Sequence, residues 1–247
     1  MTTLTANILR VAGNNNSKEK MSLTEAAATK HSKSSLLRFK LSLLNGRVNA
    51  TEDERFWSHP RLLEIFPEYL FLTHSVIRAS VPILAAAQRE ARQRKDDPLC
   101  HALAAYLIQH IAEEQSHDEW LLDDLEILGH SRYEILRRLP PSAVAETAGA
   151  QYYWIHHIHP VAVLGYIAVL EGDPPREDEV RAAIARTGLP PDSFRTILSH
   201  ATLDPGHKEE FEHFLDSLAL TPEQESLIGV SAISTMAGMQ RILGRLG

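Results

Sequence analysis

The sequence is poor in cysteine, in basic residues and in long apolar runs. Cys100 is the single cysteine among 247 residues, which excludes an intrachain disulfide and is typical of a reducing compartment. Acidic residues outnumber basic ones, 32 to 25, and the formal net charge is −7. Because the basic residues are scattered, the sequence argues against nucleic-acid binding. No run approaches the roughly 20 apolar residues of a membrane span. The N-terminus lacks a signal-peptide h-region, so we expect a cytoplasmic protein.

Apolar residues make up 44% of the chain, enough for one sizeable core. Residues 1–33 are rich in Thr, Asn, Ser and Lys and predict a flexible N-terminal arm. Helical periodicity dominates the remainder, and no segment reads as part of a sheet. The sequence therefore predicts a single all-α domain over residues 34–247, a bundle of about seven or eight helices.

Prolines and glycines divide this domain into predicted helices. The strongest periodic segment begins after Pro98 and runs as one helix to Leu128. A long helix before it contains Pro82, where we expect a kink or a break. Residues 142–170 are predicted to form one long central helix. Thr221 begins the last helix with a capping box.

The most specific motif is His200-Ala-Thr-Leu-Asp204-Pro-Gly-His207. Two imidazoles and one carboxylate stand at i, i+4 and i+7, within roughly 60° of one another on an ideal helix. Convergent ligand types on one helix face suggest a metal site inside a bundle. Pro205 lies within the motif and should loosen the helix between Asp204 and His207.

Two further features offer ligands on other helices. Glu114 and His117 form a Glu-x-x-His pair, a spacing by which one helix presents two ligands to a metal. His110 and Glu113 lie on nearly the same face as His117, so the choice of the first ligand stays open, with Glu114 preferred. Glu171 ends a nearly all-apolar helix, where a carboxylate must be paired, protonated, metal-bound or solvated.

Together these features supply three carboxylates and three imidazoles from three helices and no thiolate. This is the ligand inventory of a non-haem di-iron centre. A carboxylate has two oxygens, and Glu171 is best placed to bridge two irons.

The segments His110–Trp120, Gly165–Gly172 and His200–His207 resemble the haem-oxygenase-like di-iron oxidases and oxygenases. These proteins are often labelled iron-containing redox enzymes and share their fold with TenA and PqqC proteins. The resemblance covers about residues 60 to 245 and implies a seven-helix bundle. It also implies iron ligands at the matching positions, which are Glu114, His117, Glu171, His200, Asp204 and His207. Some members place the first carboxylate seven residues before its histidine, where this chain has His110.

The resemblance further implies that two Fe ions and dioxygen oxidise a small bound substrate, such as an amino acid, an amine or a fatty acid. Since Pro205 weakens the segment with three of the ligands, we expect the second iron to be the labile one. A homodimer is the default expectation for the assembly.

Two alternatives remain. The TenA and PqqC branches of the fold do not use di-iron, which leaves a metal-independent enzyme or binding protein. A ferritin-like carboxylate bundle would use Glu210-Phe-Glu-His213 as its second Glu-x-x-His. That alternative is disfavoured, because His213 lies about 120° from the face of His200 and His207.

Overall fold

The computed structural model of the chain describes residues 32–45, 56–172 and 174–246, without the side chains of residues 44–45 and 203–205. The predicted flexible arm, residues 1–33, therefore lies almost wholly outside the described residues. The described part contains ten α-helices and no strand, so the all-α prediction is confirmed. The helices are α1 (Lys33–Asn45), α2 (Leu62–Gln93), α3 (Pro98–Glu114), α4 (His117–Ile127), α5 (Arg132–Arg137), α6 (Ser142–His157), α7 (Val163–Leu170), α8 (Glu177–Thr187), α9 (Arg195–Ser217) and α10 (Pro222–Leu243).

Two helices hold the bundle together. The long helix α2 packs against α3, α4 and α6, and α10 packs against α6 and α7. Two apolar clusters fill the interior, one centred on α3, α7 and one half of α2, the other on α4 and the other half of α2. Leu170, at the end of α7, packs against both clusters. The residue that follows it, Glu171, therefore lies where the two clusters meet.

The predicted single helix from Pro98 to Leu128 is two helices. Helix α3 ends at Glu114, Gln115 is extended, and Ser116 has φ 75°, in the left-handed region. A serine in this conformation interrupts the helical hydrogen-bond ladder, and α4 begins at His117 in a new direction. The helical spacing assumed for Glu114 and His117 is thus wrong, although the two residues remain neighbours.

The predicted helix over residues 142–170 is also divided. Helix α6 ends at His157, a 3-10 helix covers Pro160–Ala162, and α7 begins at Val163. His159, before the proline, is extended, with φ −160°. Proline disfavours a helical conformation in the preceding residue, which explains the position of the break. These two interruptions raise the number of helices above the predicted seven or eight.

The expected break at Pro82 does not occur. Helix α2 runs without interruption through Pro67 and Pro82. An internal proline costs a helix about 3 kcal/mol, but both apolar clusters draw residues from α2, and their burial outweighs this local cost.

By length and composition alone, α2 is long and apolar enough to cross a membrane. No such segment was expected from the sequence. However, 61% of its apolar window is buried inside the protein. Burial of this kind is the pattern of a core helix.

Helix ends in the second half of the chain follow their local signals. Thr221 accepts a hydrogen bond from the backbone N–H of Gln224, whose side chain accepts one from the backbone N–H of Thr221. The predicted capping box is thus confirmed. Pro191 opens a 3-10 turn that leads into α9. The backbone of α9 continues as helix through Pro205 and Gly206.

Helix α1 is tied to α9 by one aspartate. Asp216 accepts hydrogen bonds from the backbone N–H and the hydroxyl of Ser34, both at 2.8 Å. Lys33 donates to the backbone carbonyl of Asp216, at 3.0 Å. Because the N-terminal N–H groups of a helix lack intrahelical acceptors, Asp216 acts as an external cap for α1. This cap fixes α1 along one side of α9.

Candidate metal centre

Three helix ends converge near the middle of the molecule. Glu114 is the last residue of α3, His117 is the first of α4, and Glu171 follows the last residue of α7. Together with His110, one turn earlier on α3, these side chains are buried, each with at most 9% of its surface exposed. Helix α7 is apolar and buried over most of its length, so Glu171 enters the interior at its end. The chain thus places four titratable groups in the core.

These groups contact one another in two pairs. Nε2 of His110 lies 2.8 Å from Oε1 of Glu171. Nδ1 of His117 lies 3.2 Å from Oε2 of Glu114. One donor atom from each of His110, Glu114 and Glu171 lies within 4.8 Å of the other two. Nitrogen and carboxylate oxygen at these separations can coordinate one metal ion.

Helix α9 forms the opposite side of the group. The imidazole rings of His117 and His200 lie 4.8 Å apart at an angle of 85°. Nδ1 of His207 is buried, and this imidazole is among the groups that act electrostatically to lower the pKa of Glu171 against the effect of burial. The side chain of Asp204 lies outside the described residues. Among the described side chains, contacts link Glu114 to His117 and His117 to His200, and donor atoms of Glu114 and Glu171 lie within 4.8 Å.

Burial and hydrogen bonding shift the pKa values of the group in opposite directions. Burial raises the pKa of Glu171. Burial would also raise the pKa of Glu114, but the hydrogen bond from His117 and the nearby histidine charges outweigh it and lower that pKa. Burial by itself lowers the pKa of His110, yet the bond to Glu171 and the surrounding carboxylates raise it overall. The charged forms of Glu114 and His110 are thus favoured by their partners, whereas for Glu171 burial outweighs the bond from His110.

Three atoms of the group are left without a hydrogen bond. Among the described residues, Oε1 of Glu114, Oε2 of Glu171 and Nδ1 of His207 are buried with no hydrogen-bond partner. A buried polar atom without a partner costs roughly 1–3 kcal/mol. All three are metal-binding atom types, and donor atoms of Glu114 and Glu171 lie within 4.8 Å of each other and of a donor atom of His110. The donor set therefore fits a metal ion.

His110 is the buried group that the predicted ligand set leaves out. The sequence signal for including His110 was its position seven residues before His117, on nearly the same face of the predicted helix. Glu113, the other open choice, is partly exposed and accepts a hydrogen bond from Gln109 at 3.0 Å. Of the two glutamates, only Glu114 turns into the group.

A second group of metal-binding residue types has a structural role, because it links the start of α3 to the segment that precedes α7. Asp97, Cys100 and His159 also bring three donor atoms together. Asp97 caps α3 and lies 3.2 Å from Nε2 of His159. The backbone N–H of Val161 donates to Nδ1 of His159, at 3.1 Å, so the ring proton is on Nε2 and bonds to Asp97. Burial, with the neighbouring Asp97, raises the pKa of Cys100 to about 12. Such a thiol is unreactive.

A cleft leads to the candidate metal centre from the surface. It has a volume of about 330 Å³, counted to its open mouth, and lies between α1, α7 and α9. Leu37, Leu41, Ile167 and Phe211 form apolar walls, and Glu171 stands among the lining residues. A small molecule in this cleft would lie beside a candidate ligand.

The ligands of the ferritin-like alternative point elsewhere. Glu210 and His213 are both exposed on α9. A di-iron site of the ferritin type needs its Glu-x-x-His pairs turned into the bundle. The geometry thus gives this alternative no support.

Comparison with solved structures finds the same architecture. A domain of unknown function with a heme oxygenase-like fold from Shewanella denitrificans OS217 superimposes with a TM-score of 0.68 at 23% identity, covering 83% of this chain and 91% of that one. A TenA homolog from Pseudomonas syringae pv. tomato DC3000 superimposes with a TM-score of 0.58 at 13% identity, covering 78% and 87%. At these identities the likeness establishes the fold alone, which is haem-oxygenase-like, as predicted.

The sequence itself matches a family of redox proteins. No curated protein matches the chain. Residues 69–236 match the family described as iron-containing redox enzymes. This match spans more than half of the chain and includes every candidate ligand. The chain therefore belongs to the iron-containing redox enzyme family, with a haem-oxygenase-like fold.

Proposed function

We propose that this protein is a non-haem di-iron oxidase or oxygenase, which uses dioxygen to oxidise a small metabolite such as an amino acid, an amine or a fatty acid. The family membership supports an iron-containing oxidoreductase. The observation that carries the finer proposal is the set of three unpartnered buried donor atoms on Glu114, Glu171 and His207. They come from α3, the end of α7 and α9, and each is an atom type that coordinates iron.

Each residue has a role that follows from its chemistry. Glu171 has one oxygen on His110 and one free of hydrogen bonds within the described part of the chain, so it can serve two metal ions. Oε2 of Glu114 forms a hydrogen bond with Nδ1 of His117, so Nε2 of the same ring is left to coordinate a metal ion. His200 and Asp204 would bind the other iron, with His207 near the first. Bound iron supplies the electrons and the open coordination positions with which dioxygen is activated.

The surroundings of the ligands control protons and water. The apolar end of α7 and the two core clusters border Glu171 and exclude bulk water from its inner side. In a dry site, charges act more strongly than in water. The bond between Nε2 of His110 and Oε1 of Glu171 provides a defined place for one proton while no metal is bound.

The cleft between α1, α7 and α9 supports the choice of a small substrate. Its empty space of about 330 Å³ includes solvent at the open mouth. Apolar walls favour a substrate with an apolar portion, which would lie next to Glu171. Lys208 and Arg38 border the same cleft as cationic groups. Arg38 pairs with Glu212 and Lys208 donates to the carbonyl of Gly172. A metabolite with one apolar and one polar end would match the mixed lining of this cleft.

Metal analysis after anaerobic loading with Fe(II) tests this proposal. We expect up to two irons per chain, and loss of iron when His117 or His207 is replaced by Ala. His213→Ala is the matched control, because this exposed histidine lies on the same helix as His207. We expect the control to bind as much iron as the unmodified protein.

Each other outcome supports a different function. Iron retained in His117→Ala and His207→Ala but lost in His213→Ala would favour the ferritin-like alternative. No iron in the unmodified protein would favour the metal-independent alternative. If iron binds, oxygen consumption with candidate amino acids, amines and fatty acids would then identify the substrate class.

A further inference from the structure

We propose that His110 is itself an iron ligand, binding through Nε2 and sharing one iron with Glu171. This inference rests on the proposed di-iron function and adds a residue to its ligand set. It starts from the pair of buried side chains contributed by α3 and the end of α7. His110 exposes 3% of its surface and Glu171 exposes 9%.

The spacing of the two donor atoms suits a shared metal. Nε2 of His110 and Oε1 of Glu171 are 2.8 Å apart. Two ligand atoms on neighbouring positions of an octahedral metal lie about 3 Å apart when each metal bond is about 2.1 Å. Only the proton between the two atoms must leave for both to bind one cation. Backbone movement is not required.

The neighbours of His110 hold its imidazole ring in place. Nε2 contacts Glu171, whereas Oε2 of Glu113 lies 3.9 Å from Nδ1, beyond direct hydrogen-bond distance. Tyr106 stacks on the ring, with centroids 5.4 Å apart and planes 16° apart. Tyr106 in turn stacks on Phe214. The orientation of His110 is thus set from two sides.

A purely structural ion pair explains less. His110 and Glu171 could stabilise each other as imidazolium and carboxylate inside the bundle. That pair would leave Oε2 of Glu171 and the nearby Oε1 of Glu114 without a hydrogen bond in the described structure. A metal ion held by His110, Glu171 and Glu114 would instead engage carboxylate oxygens of both glutamates.

The test compares His110→Ala, His110→Glu and the control His130→Ala, in which an exposed histidine is removed. Fe(II) affinity is measured by competition with a chelator under anaerobic conditions, and coordinated imidazole by X-ray absorption of the iron-loaded protein. Circular dichroism of each metal-free variant checks folding. Loss of an outer-sphere partner typically weakens metal binding 10–100-fold. We expect His110→Ala to weaken one iron by more than about 100-fold and to reduce imidazole scattering.

The carboxylate variant separates ligation from folding. His110→Glu offers a donor at the same position, and we expect it to restore Fe(II) affinity to within about tenfold while imidazole scattering stays reduced. Two irons at unchanged affinity and unchanged imidazole scattering in His110→Ala would overturn the inference while leaving the di-iron proposal standing. If His110→Ala does not fold, undiminished imidazole scattering in iron-loaded His110→Glu would overturn it. Absence of iron in the unmodified protein would overturn both.

Discussion

Oε2 of Glu114 lies 3.2 Å from Nδ1 of His117 across the break between α3 and α4. The two residues are neighbours although they belong to different helices, because Ser116 turns the chain between them. The break lets α3 end and α4 begin at the same place, so both helices present a donor to one region. Left-handed residues other than glycine often occur at functional sites, where strain is offset by the surrounding structure.

Ser116→Gly should stabilise the fold. The left-handed conformation, with φ 75°, costs a residue with a Cβ roughly 1–2 kcal/mol, and glycine avoids that cost. Since glycine also has more freedom in the unfolded chain, we expect a net gain of about 0.5–1 kcal/mol in the free energy of unfolding. Chemical denaturation of the metal-free protein measures it.

Gln115→Gly is the neighbouring control for this substitution. Gln115 has φ −65°, so glycine brings no relief there and should cost up to about 1 kcal/mol. Equal effects of the two substitutions on the free energy of unfolding would show that Ser116 is not strained.

Gly165→Ala should separate α7 from α10. A Cβ at this position would lie 2.3 Å from the backbone oxygen of Ile228 and 2.6 Å from the backbone nitrogen of Ala232. Backbone atoms cannot yield as a flexible side chain can, so we expect a loss of about 2 kcal/mol or more in the free energy of unfolding. Iron affinity should fall too, because α7 positions Glu171.

Gly149→Ala is the matched control, in the middle of α6. A Cβ at residue 149 meets nothing within 4 Å, and alanine is favoured over glycine in a helix by about 1 kcal/mol. We therefore expect this variant to unfold at a higher temperature than the unmodified protein. A Gly165→Ala variant as stable as Gly149→Ala would contradict the close approach of α7 and α10.

Asp216→Ala should release α1 from α9. The substitution removes both hydrogen bonds to Ser34, and loss of a helix cap costs roughly 0.5–2 kcal/mol. We expect faster hydrogen exchange across residues 33–45, with little change in α10. Unchanged exchange in α1 would mean that its apolar contacts alone hold it over the cleft.

The same aspartate should make α1 sensitive to acid. Burial alone would raise the pKa of Asp216, but the hydrogen bonds from Ser34 outweigh it and lower that pKa. A carboxyl with a lowered pKa stabilises the fold at neutral pH and loses this contribution as the pH falls through the folded pKa, below about 4. Hydrogen exchange of α1 in the unmodified protein should therefore accelerate in that range, and less so in Asp216→Ala.

Asp124→Asn should remove a loss of stability that the unmodified protein shows as the pH rises. Asp124 is fully buried and accepts a hydrogen bond from the backbone N–H of Thr196, at 3.0 Å, while burial raises its pKa to about 6. Its contribution is complete below about pH 4 and declines as the pH rises through about 6. Asparagine keeps an acceptor for Thr196 without a charge.

Denaturation of both proteins between pH 4 and pH 7 measures this effect. We expect the unmodified protein to lose stability relative to Asp124→Asn as the pH rises. A constant difference between the two proteins, or one of opposite sign, would contradict the raised pKa of Asp124.

Helix type and helix starts were predictable where the signal is local. The capping box at Thr221 and the start of α3 at Pro98 depend on side chains within a few residues, and both were predicted. The break at Ser116 was not predictable, because serine has no intrinsic preference for the left-handed region. Of the kink or break expected at Pro82, the break is absent, since tertiary burial of α2 outweighs the local cost of the proline.

The sequence by itself determined the all-α class, the family resemblance and the types of the candidate ligands, because periodicity and motif spacing are properties of the chain. Only the tertiary structure decided which donors meet. His110 contacts Glu171, 61 positions later, at 2.8 Å, and Glu113 turns outward while Glu114 turns inward. Such choices depend on where helices end and cross, and that is fixed by packing between segments distant in sequence.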